Sequence, residues 1–443
     1  MDFTDRKLGI LLNTLSEEEW AAARWFLDAP AHKNRKAMLR CFDHLRDSHR
    51  QSEPADKQAL FTATFPEKTE YDDDLPLRRL MSEMSGYLEN FLAWRQLKRD
   101  QNSVAQLVLD ALRQRNAEDL FHKKARAHLV EFQQSPPVDA ADFQALAELH
   151  RQLYFHSAAS NYQANHASLF QAIRNLEISF ALRLLCYRVE VLARQSVLAD
   201  DKDSAFCFES GLEEACRKLA PECAAIDLFV KLLALFSGEK NEDAFQSAWE
   251  AYLRQNASQY SFEQAMAHKI LLQHAIAQSN AGGLNDHFNV LNIYKIGLER
   301  KLLEAPETAL SVVSYLNISF AAALAEEFDW AANFEKNYKD RLPEKLRQST
   351  LNLCQACLLF YYSRKKGTGA ADFDRALDLL QDVSHEHELF ELCVRTLQMR
   401  IFYEHPRVQP GRFLLNFAKN FERHLQTNRH FSVAFKTRYV LFS

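Results

Sequence analysis

The densest run of potential metal ligands in this chain is His385-Glu386-His387-Glu388. Residues two apart on a helix point in different directions, so His385 and His387 do not converge on one ion, and the i,i+4 pairing of a His-Glu-x-x-His zinc helix is missing. The four read as a solvated helix start after Ser384. Cys354 and Cys357 share a helix face, but Leu351, Leu353, Leu358 and Leu359 surround them and no second Cys or His pair completes a zinc site, so they read as packed thiols. Asp72, Asp73 and Asp74 precede an apolar helix pattern, where their charge suits the positive end of the backbone dipole better than a metal. No Gly-x-Ser-x-Gly elbow and no phosphate-binding Gly-x-x-x-x-Gly-Lys-Ser/Thr loop occurs. The expectation is a protein that is not an enzyme, with no catalytic, cofactor or metal residues.

Residues 91–130 hold eight Lys or Arg against four acidic residues, interleaved with Phe91, Trp94, Phe121, His122 and His128. Cations beside aromatics are what phosphate contact and base stacking use, which makes Arg113, Arg115, Lys123, Lys124 and Arg126 candidates for nucleic-acid contact. The competing reading is a set of short helices with the cations in water and the aromatics turned inward. A net charge of −5 with both signs interspersed gives no chain-wide attraction for polyanions. Nucleic acid is therefore the alternative partner, and a protein or peptide is preferred.

The elements that must carry these residues are helices. Only 10 Gly and 11 Pro occur in 443 residues, well below ordinary usage, so tight hairpins between strands lack their turn residues. Good helix formers fill long stretches instead. Met1 to Asp5 has no cationic start followed by an apolar core, no run of 18 apolar residues occurs, and the eight Cys form no compact framework. A cytoplasmic protein with reduced thiols and no membrane contact is expected.

Along the chain, Ser16 with Glu19 forms a capping box before Trp20, Ala23, Phe26 and Leu27. A second helix presents Met38, Cys41, Phe42 and Leu45, and a third carries Leu77, Leu80, Met81, Met84, Leu88, Phe91 and Leu92. Pro136-Pro137 breaks the pattern. Leu169, Ile173, Leu176, Phe180, Leu184, Tyr187, Val191 and Leu198 then recur at three- and four-residue steps with one gap at Arg194, predicting a helix of about 30 residues, on the order of 45 Å. It carries no heptad charge pattern and is expected as an internal spine. Beyond about residue 204, helix pairs repeat, and the second helix opens with an aromatic residue three before an alanine: Phe245/Ala248, Phe328/Ala331 and Phe373/Ala376. The aromatic fills the space between paired helices and the alanine admits the next backbone. Gly238 and Gly367 fall in turns before two of these second helices, and Phe328 and Phe373 stand 45 residues apart. That exceeds the roughly 34 residues of a regular tetratricopeptide repeat.

Leu60-Phe61 to Phe65-Pro66, Tyr71-Asp72, Leu77 to Ser82 and Leu88 to Leu92, followed later by Glu327-Phe328-Asp329-Trp330-Ala331, Phe334, Tyr338, Leu342-Pro343-Glu344 and Phe373 to Val383, resemble the pattern of an uncharacterised tetratricopeptide-like helical-repeat family of Bacteroidota. The resemblance implies a helical-repeat fold in a bacterial cytoplasm and no activity. Lys366 to Ala370 is looser than the family's turn, and the chain stops at Ser443 where one more helix is expected, leaving the last hairpin incomplete or otherwise capped. The expected architecture is an all-α chain, an α-solenoid of irregular tetratricopeptide-like hairpins with a helical N-terminal region. Its divisions fall at 1–134, at 138–203 for the spine and at 204–443 for the repeats. Stacked hairpins leave a groove lined by first helices, where polar side chains can bond an extended backbone, so Asn317, Arg347, Asn352 and Gln355 are the candidate contacts of a scaffold or adaptor.

Overall fold

The structure, a computed structural model, describes residues 7–30, 32–51, 55–67, 74–155, 166–197, 210–236, 242–255, 261–279, 286–303, 310–367, 369–384, 388–405 and 412–427. Every regular element among them is helical. None of the described helices is long and apolar enough to cross a membrane. The described residues divide into two compact units, one reaching to Glu131 and the other starting at Phe132. His385 to His387, Cys207, Gly238, Tyr71 to Asp73, Leu198 and the tail after residue 427 lie outside the described residues.

The first unit contains α1 (Lys7–Asn13), α2 (Glu17–Leu27), α3 (Arg35–Gln51), α4 (Lys57–Thr64), α5 (Leu75–Arg99) and α6 (Gln101–Gln114), and α7 (Glu118–Gln134) starts in it. The capping box forms as the spacing predicts: Ser16 Oγ accepts from the Glu19 amide at 3.3 Å, and the Glu19 carboxylate accepts from the Ser16 amide at 3.1 Å. Each bond satisfies an amide that the helix itself leaves unpaired. Asp74 stands immediately before α5, bonded to Lys57 and paired with Arg78 at 2.7 Å. Trp20, Leu27, Met38, Phe42, Leu60, Leu77, Met84, Leu88 and Phe91 form one core, so the apolar stripe of α5 faces inward along its length. Asn116 takes φ 53°, and the next amide donates to Leu112 O at 3.0 Å, closing α6 with a left-handed cap.

The second unit contains α8 (Ala140–Phe155), α9 (His166–Val197), α10 (Ser210–Leu219), α11 (Ala224–Ala234), α12 (Glu242–Leu253), α13 (Phe262–Ser279) and α14 (Asp286–Glu299). It continues through α15 (Val312–Leu324), α16 (Phe328–Tyr338), α17 (Glu344–Lys366), α18 (Ala370–Gln381), α19 (Glu388–Glu404) and α20 (Arg412–Thr427). From α11 on, each helix packs on the next, and α11 on α13, α15 on α17 and α17 on α19 make the contacts that skip one helix. The aromatic and alanine positions explain the close approach: Ala248, Ala331 and Ala376 are buried, and Phe373 is buried with them. Phe328 meets Tyr362 edge-on at 5.3 Å.

The scarcity of glycine does not prevent sharp helix ends here. Lys301 at φ 54° and Glu326 at φ 58° both adopt the left-handed conformation, and the following amides donate to Gly297 O at 2.8 Å and Ala322 O at 3.0 Å. Those bonds repay the strain of a side chain at positive φ. Among the described residues only α17 ends on glycine, Gly367 at φ 66°. Gly297 has a different role, because a Cβ there would lie 2.5 Å from His268 Nε2. His268 is buried with its Nδ1 3.0 Å from the Tyr252 hydroxyl, and Arg300 lies 4.7 Å over the Tyr252 ring. Burial, with Arg300 nearby, pushes the His268 imidazole down to about 4, so it is held neutral.

One expectation changes. The long helix forms over 32 residues, but the stripe expected inside is the one facing out: Ile173, Leu176, Phe180 and Tyr187 are 47%, 57%, 55% and 59% exposed. The buried face is the one holding Ala172, Ile178, Ala181, Leu182, Leu185, Cys186, Val189 and Ala193, against α8, α10, α11 and α13. Both faces are apolar at helical spacing, and the face with small side chains lets neighbouring helices come closer, so it takes the packing. In addition, α8 and α9 share their unit with the helices that follow. Cys354 and Cys357 lie in the core, where burial pushes Cys354 up to about 12 and Cys357 higher still. Among the described residues no group of His, Cys, Asp and Glu is arranged to hold a metal ion.

Candidate functional site

The outward face of α9 exists because its sequence steps by three and four through apolar residues for seven positions, from Leu169 to Val191. Leu169, Leu184 and Val191 are half-buried, and the four between and around them are open to water. Phe170, beside this line, is exposed as well. Aromatic side chains carry ~150–250 Å² each, so this row leaves on the order of 500 Å² of contiguous apolar surface. A patch of that size matches the largest on a typical monomer, which is often functional.

Beside the row lies a cavity of about 350 Å³ lined by Asp139, Arg183, Cys186, Tyr187, Phe262 and Glu263 together with Ala141. Three elements place these residues. Asp139 caps α8, its carboxylate accepting from the Asp142 amide at 2.8 Å while Asp142 accepts from the Val138 amide at 3.2 Å. Ser261 caps α13, its hydroxyl accepting from the Gln264 amide at 3.1 Å, which sets Phe262 and Glu263 in the first turn. Ser179 Oγ donates to Ala140 O at 2.7 Å and so holds the start of α8 to α9. Tyr187 belongs both to the exposed row and to the cavity wall.

Glu263 is 6% exposed, and its carboxylate accepts backbone amides at the starts of both α8 and α13. Burial nevertheless dominates and raises its pKa, with nearby Asp139 adding to the rise and Arg183 opposing it. Arg183 itself donates to Gln144 Oε1 at 2.7 Å. Phe262 is half exposed at the cavity wall.

The residues chosen from sequence fall elsewhere. Asn317 is exposed on α15, and the Tyr294 hydroxyl bonds to it. Arg347 donates to Leu342 O at 3.2 Å, closing the turn before α17. Asn352 is buried and accepts from Gln348 Nε2 at 2.8 Å, and Gln355 donates to Glu335 Oε1 at 2.9 Å. All four thus use polar atoms within the chain. In the basic segment, Arg113 pairs with Asp110 at 3.4 Å and Arg115 donates to Ala111 O at 2.9 Å. Lys123, Lys124 and Arg126 are exposed on α7, while Phe91, Phe121 and His128 are buried and Trp94 packs on Phe26 and Phe91. Trp94 and His122 stay half-buried, and exposed Trp25 lies 6.4 Å from Trp94.

The α9 face was missed as a site because its periodicity looks the same whether it is buried or exposed. The signal available was the second apolar row on the same helix, Ile178, Leu182, Leu185 and Val189, which leaves one row in excess. Comparison of the chain with family models, curated proteins and solved structures finds no match.

Proposed function

We propose that this chain is a non-catalytic, cytoplasmic scaffold or adaptor that binds another protein, and that the exposed face of α9 is where it does so. The observation carrying this is the contiguous row Ile173, Leu176, Phe180 and Tyr187, left in water on a helix whose other face is fully packed. An apolar helix face of this length suits the docking of a helix or extended segment, whose burial there would release ordered water over several hundred Å². The helix-on-next-helix packing from α11 to α20, with alternate contacts among first helices, supports an irregular tetratricopeptide-like solenoid, as does the resemblance to the Bacteroidota family. In that architecture the repeats are a rigid support for the α9 face, and Asn317, Arg347, Asn352 and Gln355 serve mainly to hold helices together.

A photo-crosslinking amino acid at position 180 in the native cell should capture a protein that the same probe at exposed Lys345 does not. An adduct with nucleic acid, or none at position 180, would overturn the proposal. Nucleic-acid binding through Lys123, Lys124 and Arg126 is the second reading, favoured by their exposure. It requires salt-sensitive binding that is lost when those three charges are reversed.

A further inference from the structure

We propose that the cavity beside Tyr187 receives a lysine or arginine side chain from the docked partner, the partner segment being an amphipathic helix whose apolar residues lie along α9. This rests on the docking role proposed for that face and adds the chemistry of the occupant.

The charge around the cavity is one argument. Asp139 and Glu263 supply two carboxylates and Arg183 one guanidinium, leaving a net negative wall. Glu263 is buried, and its partners are backbone amides and the Ser261 hydroxyl at 3.5 Å, with Arg183 acting on it through space. Two helix starts compensate part of its charge through backbone amides, but burial still outweighs them, so an arriving cation gains more here than at a carboxylate in water. An anionic group would face that same carboxylate and is disfavoured.

The walls supply the second argument. Tyr187 and Phe262 present half-exposed rings to the cavity, apolar enough for the methylene stem of a long basic side chain and attractive to its charged head through the ring face. A volume of about 350 Å³ accommodates one such side chain with water beside it. Geometry supplies the third. From Ile173 to Tyr187 is four turns of helix, roughly 21 Å, about twice what one i, i+3, i+4, i+7 set of a partner helix covers, so a partner helix of about four turns fills the row. A basic residue at the end of that helix lying over Tyr187 would reach the cavity.

A display library of random 16-residue peptides selected on the full chain tests this, with affinities of the enriched peptides measured by fluorescence anisotropy. The expected peptides carry an apolar i, i+3, i+4, i+7 set plus a Lys or Arg. They should weaken roughly tenfold or more against Glu263→Gln and against Phe262→Ala. Changing their basic residue to norleucine should weaken binding to the native chain and make little further difference against Glu263→Gln. Phe262→Ala changes an exposed ring and keeps the test informative if Glu263→Gln perturbs folding. Enriched peptides that lack a basic residue, or that ignore both cavity variants while losing affinity for Phe180→Ser, would overturn the cavity proposal and leave α9 docking standing. No peptide sensitive to Phe180→Ser would remove both. A concentration-dependent dimer of the native chain that Phe180→Ser splits would assign the face to a second copy, which also overturns the proposal.

Discussion

The longest described helices of the two units, α5 and α9, are built on different principles. α5 has a single apolar stripe, Leu77, Leu80, Met84, Leu88 and Phe91, all of it buried. α9 has two apolar stripes, and packing consumes only one. A helix with one apolar face tells where its core lies, whereas a helix with two says only that something must cover the second or that the second stays open. The lesson is that surplus hydrophobicity, more than hydrophobicity as such, marks a surface with a task.

The largest effect that would sharpen this contrast is expected at Phe91. Phe91→Ala should cost about 3–5 kcal/mol of stability, read as lost hydrogen-exchange protection in α2, α3 and α5, because a fully buried ring leaves a cavity. Next comes Leu182, fully buried on the packed face of α9. Leu182→Ala should cost about 2–5 kcal/mol by denaturant titration. If it is as harmless as a surface change, the assignment of the two α9 faces is broken.

A pH effect of intermediate size follows from His268. Its folded pKa of about 4 lies below the ordinary imidazole value, so the unfolded chain binds a proton first as pH falls. Stability contributed by the neutral, buried imidazole is complete above about 6.5, declines as pH falls towards 4, and declines no further from this group below that. Over that window the loss should be about 2–3 kcal/mol. The difference in denaturation midpoint between the native chain and His268→Gln should therefore shrink as pH is lowered from 7 to 4, and a difference constant with pH would refute it.

The smallest effect belongs to the open stripe. Phe180→Ser should change stability by no more than about 0.5 kcal/mol, since the ring is largely in water already. A loss of several kcal/mol would mean that Phe180 is part of a core, and the docking face would not exist.

The helical class, the capping box at Ser16, the break at Pro136 and the buried set of α5 were legible in the residues because each depends on near neighbours in the chain: side-chain period, a hydroxyl three residues from an amide, a missing N–H. The aromatic–alanine spacing was legible for the same reason, and Ala248, Ala331 and Ala376 are buried on the helices it marks. The candidate polar groove was not. Whether Asn352 or Gln355 meets a partner or Gln348 and Glu335 depends on which helices stand beside α17, and spacing along one helix carries no such information.

The sequence by itself determined that this chain is made of helices, where several of them start and stop, and that α9 carries more than one apolar row. Tertiary structure alone decided which side of α9 is covered. Small side chains at Ala172, Ala181 and Ala193 let neighbouring helices approach that face closely, and the larger row from Ile173 to Tyr187 was left outside. Only tertiary structure, again, brought Asp139, Tyr187 and Glu263 from three separate helix segments to one cavity, because their meeting depends on distances between elements that no local pattern encodes.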